Sequence, residues 1–170
     1  MKTRADVPRT KKYPPELMVA MFRKAAALRN EMLGAGFTDN GGAIHSAERI
    51  MNILGMGLNY PGLSHINNLR HFKDAVFSVE AWDLHQAGNK VLIEHVSPLR
   101  HLTQMAIEEI GKGVTDDQFK DFVRQHYKLV LLSPSETLRL NKQNRSKVID
   151  DRLSKASIHL AVRNAHDAQL

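Results

Sequence analysis

Apolar residues recur at helical spacing through the first half of the chain. Leu17, Met18, Met21, Phe22 and Ala25 start a stripe that runs to about Leu33 and predicts a first helix. Pro14-Pro15 opens it, because a missing N–H costs nothing in a first turn. Gly34, Gly36 and Asn40-Gly41-Gly42 end it. Ile44, Ala47, Ile50, Met51 and Leu54 predict a second helix from about Ala43 to Leu54, closed by Gly55, Gly57 and the Asn-Tyr-Pro-Gly turn at 59–62. A third helical stretch, about Ser64 to Gln86, carries Ile66, Leu69, Phe72, Val76, Val79 and Trp82.

The pattern changes at the turn dipeptide Gly88-Asn89. Residues 90–96, Lys-Val-Leu-Ile-Glu-His-Val, predict a strand that Ser97-Pro98 stops. Residues 99–112 are helical in pattern, and Thr115 with Gln118 forms a capping box for a further helix to about His126. Tyr127 to Leu132 is an apolar run suited to a second strand. Ser133-Pro134-Ser135-Glu136 then supplies a cap, a proline at the first position and a carboxylate at the third, opening terminal helices with a break near Asn144. The expected class is α+β and mainly helical, with residues 90–96 and 127–132 paired antiparallel. The expected organisation is a basic flexible arm at 1–13, a helical part at 14–87 and a strand–strand–helix part at 88–170 with basic terminal helices.

Composition narrows the chemistry. The 170 residues include no cysteine, which excludes a thiol enzyme and thiolate–metal sites. With 42% hydrophobic and 25% charged residues the chain is able to bury a core without covalent staples. No apolar run approaches the roughly 18 residues of a membrane span. The basic N-terminus lacks the apolar core of a secretory leader, so the expectation is a cytoplasmic protein with no membrane partner. The net charge of +6 sits at the ends: five basic residues in 1–12 and seven in 137–170, against twelve basic and fourteen acidic between them. Basic extremities on a near-neutral body suit a polyanionic partner, though they also suit solubilising tails.

The segment Ile93-Glu94-His95-Val96-Ser97-Pro98 sets a carboxylate beside an imidazole at the end of a strand. Adjacent strand residues face opposite sides, so both reach one phosphate only where the strand end is twisted or bulged. The second strand exits into a helix whose first turn carries Glu136. Two strands and a helix are able to gather Glu94, His95 and Glu136 around one divalent ion. In this, residues 89–147 resemble the HNH, or ββα-metal, nucleases. Members carry an acidic residue or His, then His, then x-x-Pro on a first strand, followed after an insertion by a second apolar strand and a helix bearing the last metal ligand. The matching residues are Glu94-His95-Val96-Ser97-Pro98 and Tyr127 through Glu136, with the basic stretch Leu138 to Lys147 similar to the tail of bacterial and phage members. Where members have Asn before the second strand, this chain has His126, Tyr127 and Lys128; where they have His or Asn on the helix, it offers Glu136, Thr137 or Asn141.

The resemblance implies an endonuclease in which His95 is the general base and Glu94 holds a metal ion, with Glu136 or Asn141 as further ligand. The implied ion is Mg²⁺ or Mn²⁺, with Zn²⁺ or Ni²⁺ as alternatives. Arg100, Lys128, Arg139, Lys142, Arg145 and Lys147 are the candidate nucleic-acid contacts. Aromatics fall at core spacing and offer no stacking platform for single strands, so the expected partner is double-stranded DNA; a homo-oligomer is also compatible with the pattern. Each residue has a plainer role open to it: Glu136 as a capping-box carboxylate, His95 as a hydrogen-bonded core histidine, Glu94 as a strand carboxylate, and the basic series as a solvated helix face. The competing functions are a non-catalytic nucleic-acid-binding protein or inactive HNH relative, and a small helical regulatory protein.

Overall fold

A computed structural model describes residues 13–144 and 151–162. Helix α1 is Pro15–Gly34 and α2 is His45–Asn59; a 3₁₀ helix spans Ile66–His71, and α3 is Val79–Gln86. Strand β1, Leu92–His95, is followed by α4, Leu99–Gly111, and α5, Asp116–His126. Strand β2, Leu129–Leu132, leads into α6, Pro134–Asn144, and a short α7, Arg152–Lys155. The class is α+β, and the two strands pair antiparallel with Leu92 opposite Leu132 and His95 opposite Leu129. Among the described residues no helix is long and apolar enough to cross a membrane.

Two sequence expectations are corrected. The third helical stretch is broken: between the 3₁₀ helix and α3 the chain is extended, and it lies along the far edge of β2. Leu131 N–H donates to the Val76 carbonyl and Ser78 N–H to the Leu131 carbonyl, while Ala161 N–H reaches the Phe77 carbonyl. Here Val76 and Phe77 are β-formers, and tertiary pairing overrides the helical period. The second helix runs past both of its glycines to Asn59 rather than stopping at Leu54. Gly55 is inside it because the Tyr127 ring lies against the helix there.

The strands separate two apolar layers. Leu129 and Leu131, with Ile93 packed against them, belong to the main core, which collects Met18, Val19, Phe22, Ala25 and Ala26 of α1, Met51 and Leu54 of α2, Leu102 and Ala106 of α4, and Phe119 and Val123 of α5. Val130 and Leu132 face a smaller cluster with Leu140, Leu153, Ala156 and Ile158. The residues before and after position 88 thus share one core. The capping box expected at Thr115 forms: Gln118 N–H donates to the Thr115 hydroxyl and Thr115 N–H to the Gln118 side chain. The start of β2 is hung from α2 and the loop after it: Asn59 Nδ2 donates to the Tyr127 carbonyl, and Leu129 N–H donates to the Tyr60 hydroxyl at 2.9 Å. Tyr60→Phe leaves that buried N–H without an acceptor and is expected to lower stability by about 1–3 kcal/mol, read from the urea midpoint.

Candidate functional site

The exit of β1 is where the sequence places its chemistry, and the ladder fixes how it is displayed. Val96 N–H donates to the Lys128 carbonyl. By the alternation of an antiparallel pair, Leu92 and Glu94 therefore aim their backbone groups at β2, whereas Ile93 and His95 aim theirs at the open edge. Side chains alternate as well. His95 lies on the layer of the helical core, and Glu94 on the layer of α6 and α7.

His95 Nε2 lies 3.1 Å from Asn52 Oδ1, and the Tyr127 hydroxyl donates to the same oxygen at 2.6 Å. An oxygen that already accepts from Tyr127 meets Nε2 favourably only if that nitrogen carries hydrogen, so the tautomer is Nε2–H and the lone pair is on Nδ1. The Tyr127 ring stands edge-on to the imidazole, with centroids 5.4 Å apart. Burial, and after it the Arg152 charge, push the His95 pKa down to about 4, so the ring is neutral at pH 7. Burial raises the Glu94 carboxyl above its ordinary value, against the opposing pull of Arg152. Arg152 is only 7% exposed and donates from Nη1 to the His95 carbonyl at 3.0 Å, closing the open edge of β1; its Nε has no partner among the described residues. Arg152 thus ties the two adjacent residues together electrostatically. Sequence reasoning missed it because one arginine in a basic tail carries no signal of its own. Asn52 was equally silent, although Asn52, Gly55 and Asn59 recur at i, i+3 and i+7 on the α2 face that receives Tyr127.

The expected convergence of His95, Glu94 and Glu136 does not occur. Glu136 is 3% exposed and is used where it stands: its Oε2 accepts from Ser133 N–H at 2.9 Å and from the Ser78 hydroxyl, while Glu136 N–H donates to Ser133 Oγ at 3.1 Å. This is a completed capping box extended to Ser78, whose hydroxyl also caps α3 by accepting from Ala81 N–H. Ser78 borders β2 on the edge away from β1, so the Glu136 carboxylate is turned to that edge and to its own helix start rather than to the exit of β1. Asn141 follows Glu136 by five residues, about 140° around the helix, so the two do not share a face. Glu136→Ala strands the buried Ser133 N–H and Ser78 hydroxyl and is expected to cost about 3 kcal/mol in a denaturant titration.

The candidate nucleic-acid contacts divide. Arg100 is committed within the chain, to Glu48 at 3.0 Å, Asn40 at 2.6 Å and the His45 ring at 3.3 Å, because α4 packs on α2. Arg139 lies 3.8 Å from Glu80 and reaches the Ala156 carbonyl. Lys128 is exposed with its Nζ on the Arg124 carbonyl, and Lys142 is exposed without an ion-pair partner among the described residues. Arg145, Lys147 and the arm at 1–12 lie outside the described residues.

A closed zinc site needs three or four protein donors, and among the described residues no three His, Asp or Glu side chains cluster in that way. Mg²⁺ makes smaller demands, being held by one or two carboxylates with waters and substrate phosphate oxygens. Glu94, a half-buried carboxylate with no ion pair within 4 Å among the described residues, fits that description; Glu136 does not. No protein-family model, curated protein or solved structure matches the chain.

Proposed function

We propose that the chain is a metal-dependent endonuclease of the HNH type, hydrolysing phosphodiester bonds of DNA at the exit of β1. One observation carries the reading: Glu94 and a neutral His95 are adjacent, on opposite layers, where the first strand of an antiparallel pair ends, both feel the charge of the buried Arg152, and the second strand runs into a capped helix. His95 Nδ1 takes the proton of the attacking water, and Asn52 orients the ring through Nε2. Glu94 would hold Mg²⁺ or Mn²⁺ together with substrate oxygens, and the ion supplies charge stabilisation at the leaving oxygen. Arg152 adds fixed positive charge, its Nε–H without an acceptor among the described residues. Glu136 has no part in the chemistry and serves to hold α6 and α3 together.

A second reading, a nucleic-acid-binding protein without cleavage, is favoured by one feature. A base with a pKa of about 4 is less basic than a general base working near neutrality ordinarily is. Plasmid DNA incubated with the protein and Mg²⁺ or Mn²⁺ decides between the two. The endonuclease reading expects nicking that EDTA abolishes, that Glu94→Gln removes and that Glu136→Gln retains per folded molecule. Absence of nicking, with a gel shift that weakens steeply as salt rises, would establish the binding protein instead.

A further inference from the structure

Away from the Glu94–His95 corner, a cavity of about 420 Å³ opens between the 3₁₀ helix and the outer edge of β1. Its wall includes Ile66, Asn67 and Arg70 from the helix, and Lys90 and Ile93 from the strand side, with no acidic side chain in the lining. Arg70 Nε donates to the Asn67 carbonyl at 3.2 Å; neither Arg70 nor Lys90 has a carboxylate partner among the described residues. The volume lies within the range of small-molecule sites, which are mainly apolar with a few placed polar groups.

The strand supplies a second recognition element. Ile93 is one of the two β1 residues whose N–H and C=O face away from β2, and Arg152 closes only the other, His95. The cavity therefore has an adjacent peptide donor and acceptor at one end, two cations nearby and an apolar surface made by Ile66 and Ile93. An uncompensated pair of cations selects an anion, and a guanidinium beside an ammonium suits a phosphate. A peptide N–H and C=O side by side match the donor and acceptor edge of a nucleobase. Lys90 lies three residues before Ile93, at most roughly 10 Å along the chain, comparable to the reach of a nucleotide from its phosphate to its base edge.

We propose that this cavity is a nucleoside 5′-phosphate site, with the phosphate held by Arg70 and Lys90 and the base edge read by the Ile93 peptide. It does not depend on the endonuclease reading, since neither Glu94 nor His95 lines it. The same chemistry is presented by a free mononucleotide and by the 5′-phosphorylated end of a nucleic-acid strand.

Titration calorimetry of the full chain with AMP, adenosine, inorganic phosphate and the 5′-phosphorylated dinucleotide pApA tests it at one fixed salt concentration. AMP is expected to saturate and to bind at least ~10-fold more tightly than either adenosine or phosphate. Arg70→Gln and Lys90→Gln, both outside the core, should each weaken AMP about 5–10-fold. The Ile93 amide resonance should shift with AMP and not with phosphate, a readout that needs no variant. A dinucleotide tighter than AMP assigns the site to a strand end; one no tighter assigns it to a free nucleotide. Phosphate binding as tightly as AMP, an unmoved Ile93 amide, or affinity indifferent to both substitutions overturns the proposal.

Discussion

Gly55→Ala is expected to destabilise the protein by at least about 3 kcal/mol, although Ala is the better helix former. Inside a helix the exchange is ordinarily favourable by up to about 1 kcal/mol. At Gly55 an added Cβ would come within 2.7 Å of Tyr127 Cδ1 and closer still to Cγ and Cδ2, separations that real Cβ atoms do not show. The ring has no freedom to retreat. Its hydroxyl is bonded to Asn52, its carbonyl to Asn59, and the side chain is fully buried. Relief must come from separating α2 from β2, which also breaks the His95–Asn52 contact. Overpacking in a rigid core typically costs about 1–3 kcal/mol and more where backbone must move, so steric cost exceeds helix propensity here. Gly57→Ala is the matched control, since nothing lies within 4 Å of a Cβ there. It should raise the urea midpoint slightly while Gly55→Ala lowers it by a large part of a total near 5–15 kcal/mol. Equal midpoints for the two variants would mean that Tyr127 does not pack on α2 as described.

The same pair of glycines shows where local sequence stops being informative. Both carry the same helix-breaking signal, yet both lie inside α2, because a helix tolerates glycine when packing elsewhere outweighs about 1 kcal/mol of propensity. What makes Gly55 necessary is a ring more than seventy positions away, a long-range fact that no local pattern holds. Signals that act within a few residues were legible: the Pro14-Pro15 start, the Thr115–Gln118 box, the Ser133–Glu136 box and the turn before β1 all have local causes. The extended stretch at 76–78 was not, since its partners are Leu131 and, on the other side, Leu160. The candidate site divides in the same way. Glu94 and His95 were found from their place at a strand end, whereas Asn52, Tyr127 and Arg152, which set the tautomer, the basicity and the closed strand edge, reach His95 from three other elements. Glu136 had two roles open to it in the sequence, and the local one, capping its own helix, is the one its hydrogen bonds fill.

His95→Ala should lower phosphodiester cleavage by ~10²–10⁴-fold with little change in DNA affinity, since it removes a base and no phosphate-neutralising cation. The pH dependence of the parent gives this prediction its sharper form. With the ring's pKa near 4 rather than 6.5, kcat/KM is expected to stay level from pH 8 down to about 5, where an ordinary histidine base would already have lost most of its activity. Stability behaves differently over the same window. Between pH 6.5 and 4 the unfolded chain takes up a proton at His95 that the folded chain refuses, so the contribution is complete above 6.5 and is lost as pH falls toward 4. Its size is on the order of 2–3 kcal/mol after allowance for partial exposure. Glu94 acts with the opposite sign: its raised carboxyl pKa removes stability as pH rises above the ordinary carboxylate value, so Glu94→Gln should steepen the parent's slope. His95→Gln, which keeps an amide donor for Asn52 and does not titrate, should flatten it. Urea titrations of the three proteins at pH 4.5, 5.5 and 7 measure this directly. A His95→Gln slope equal to the parent's would place the imidazole in water, and the tautomer, the Asn52 contact and the general-base assignment would fall with it.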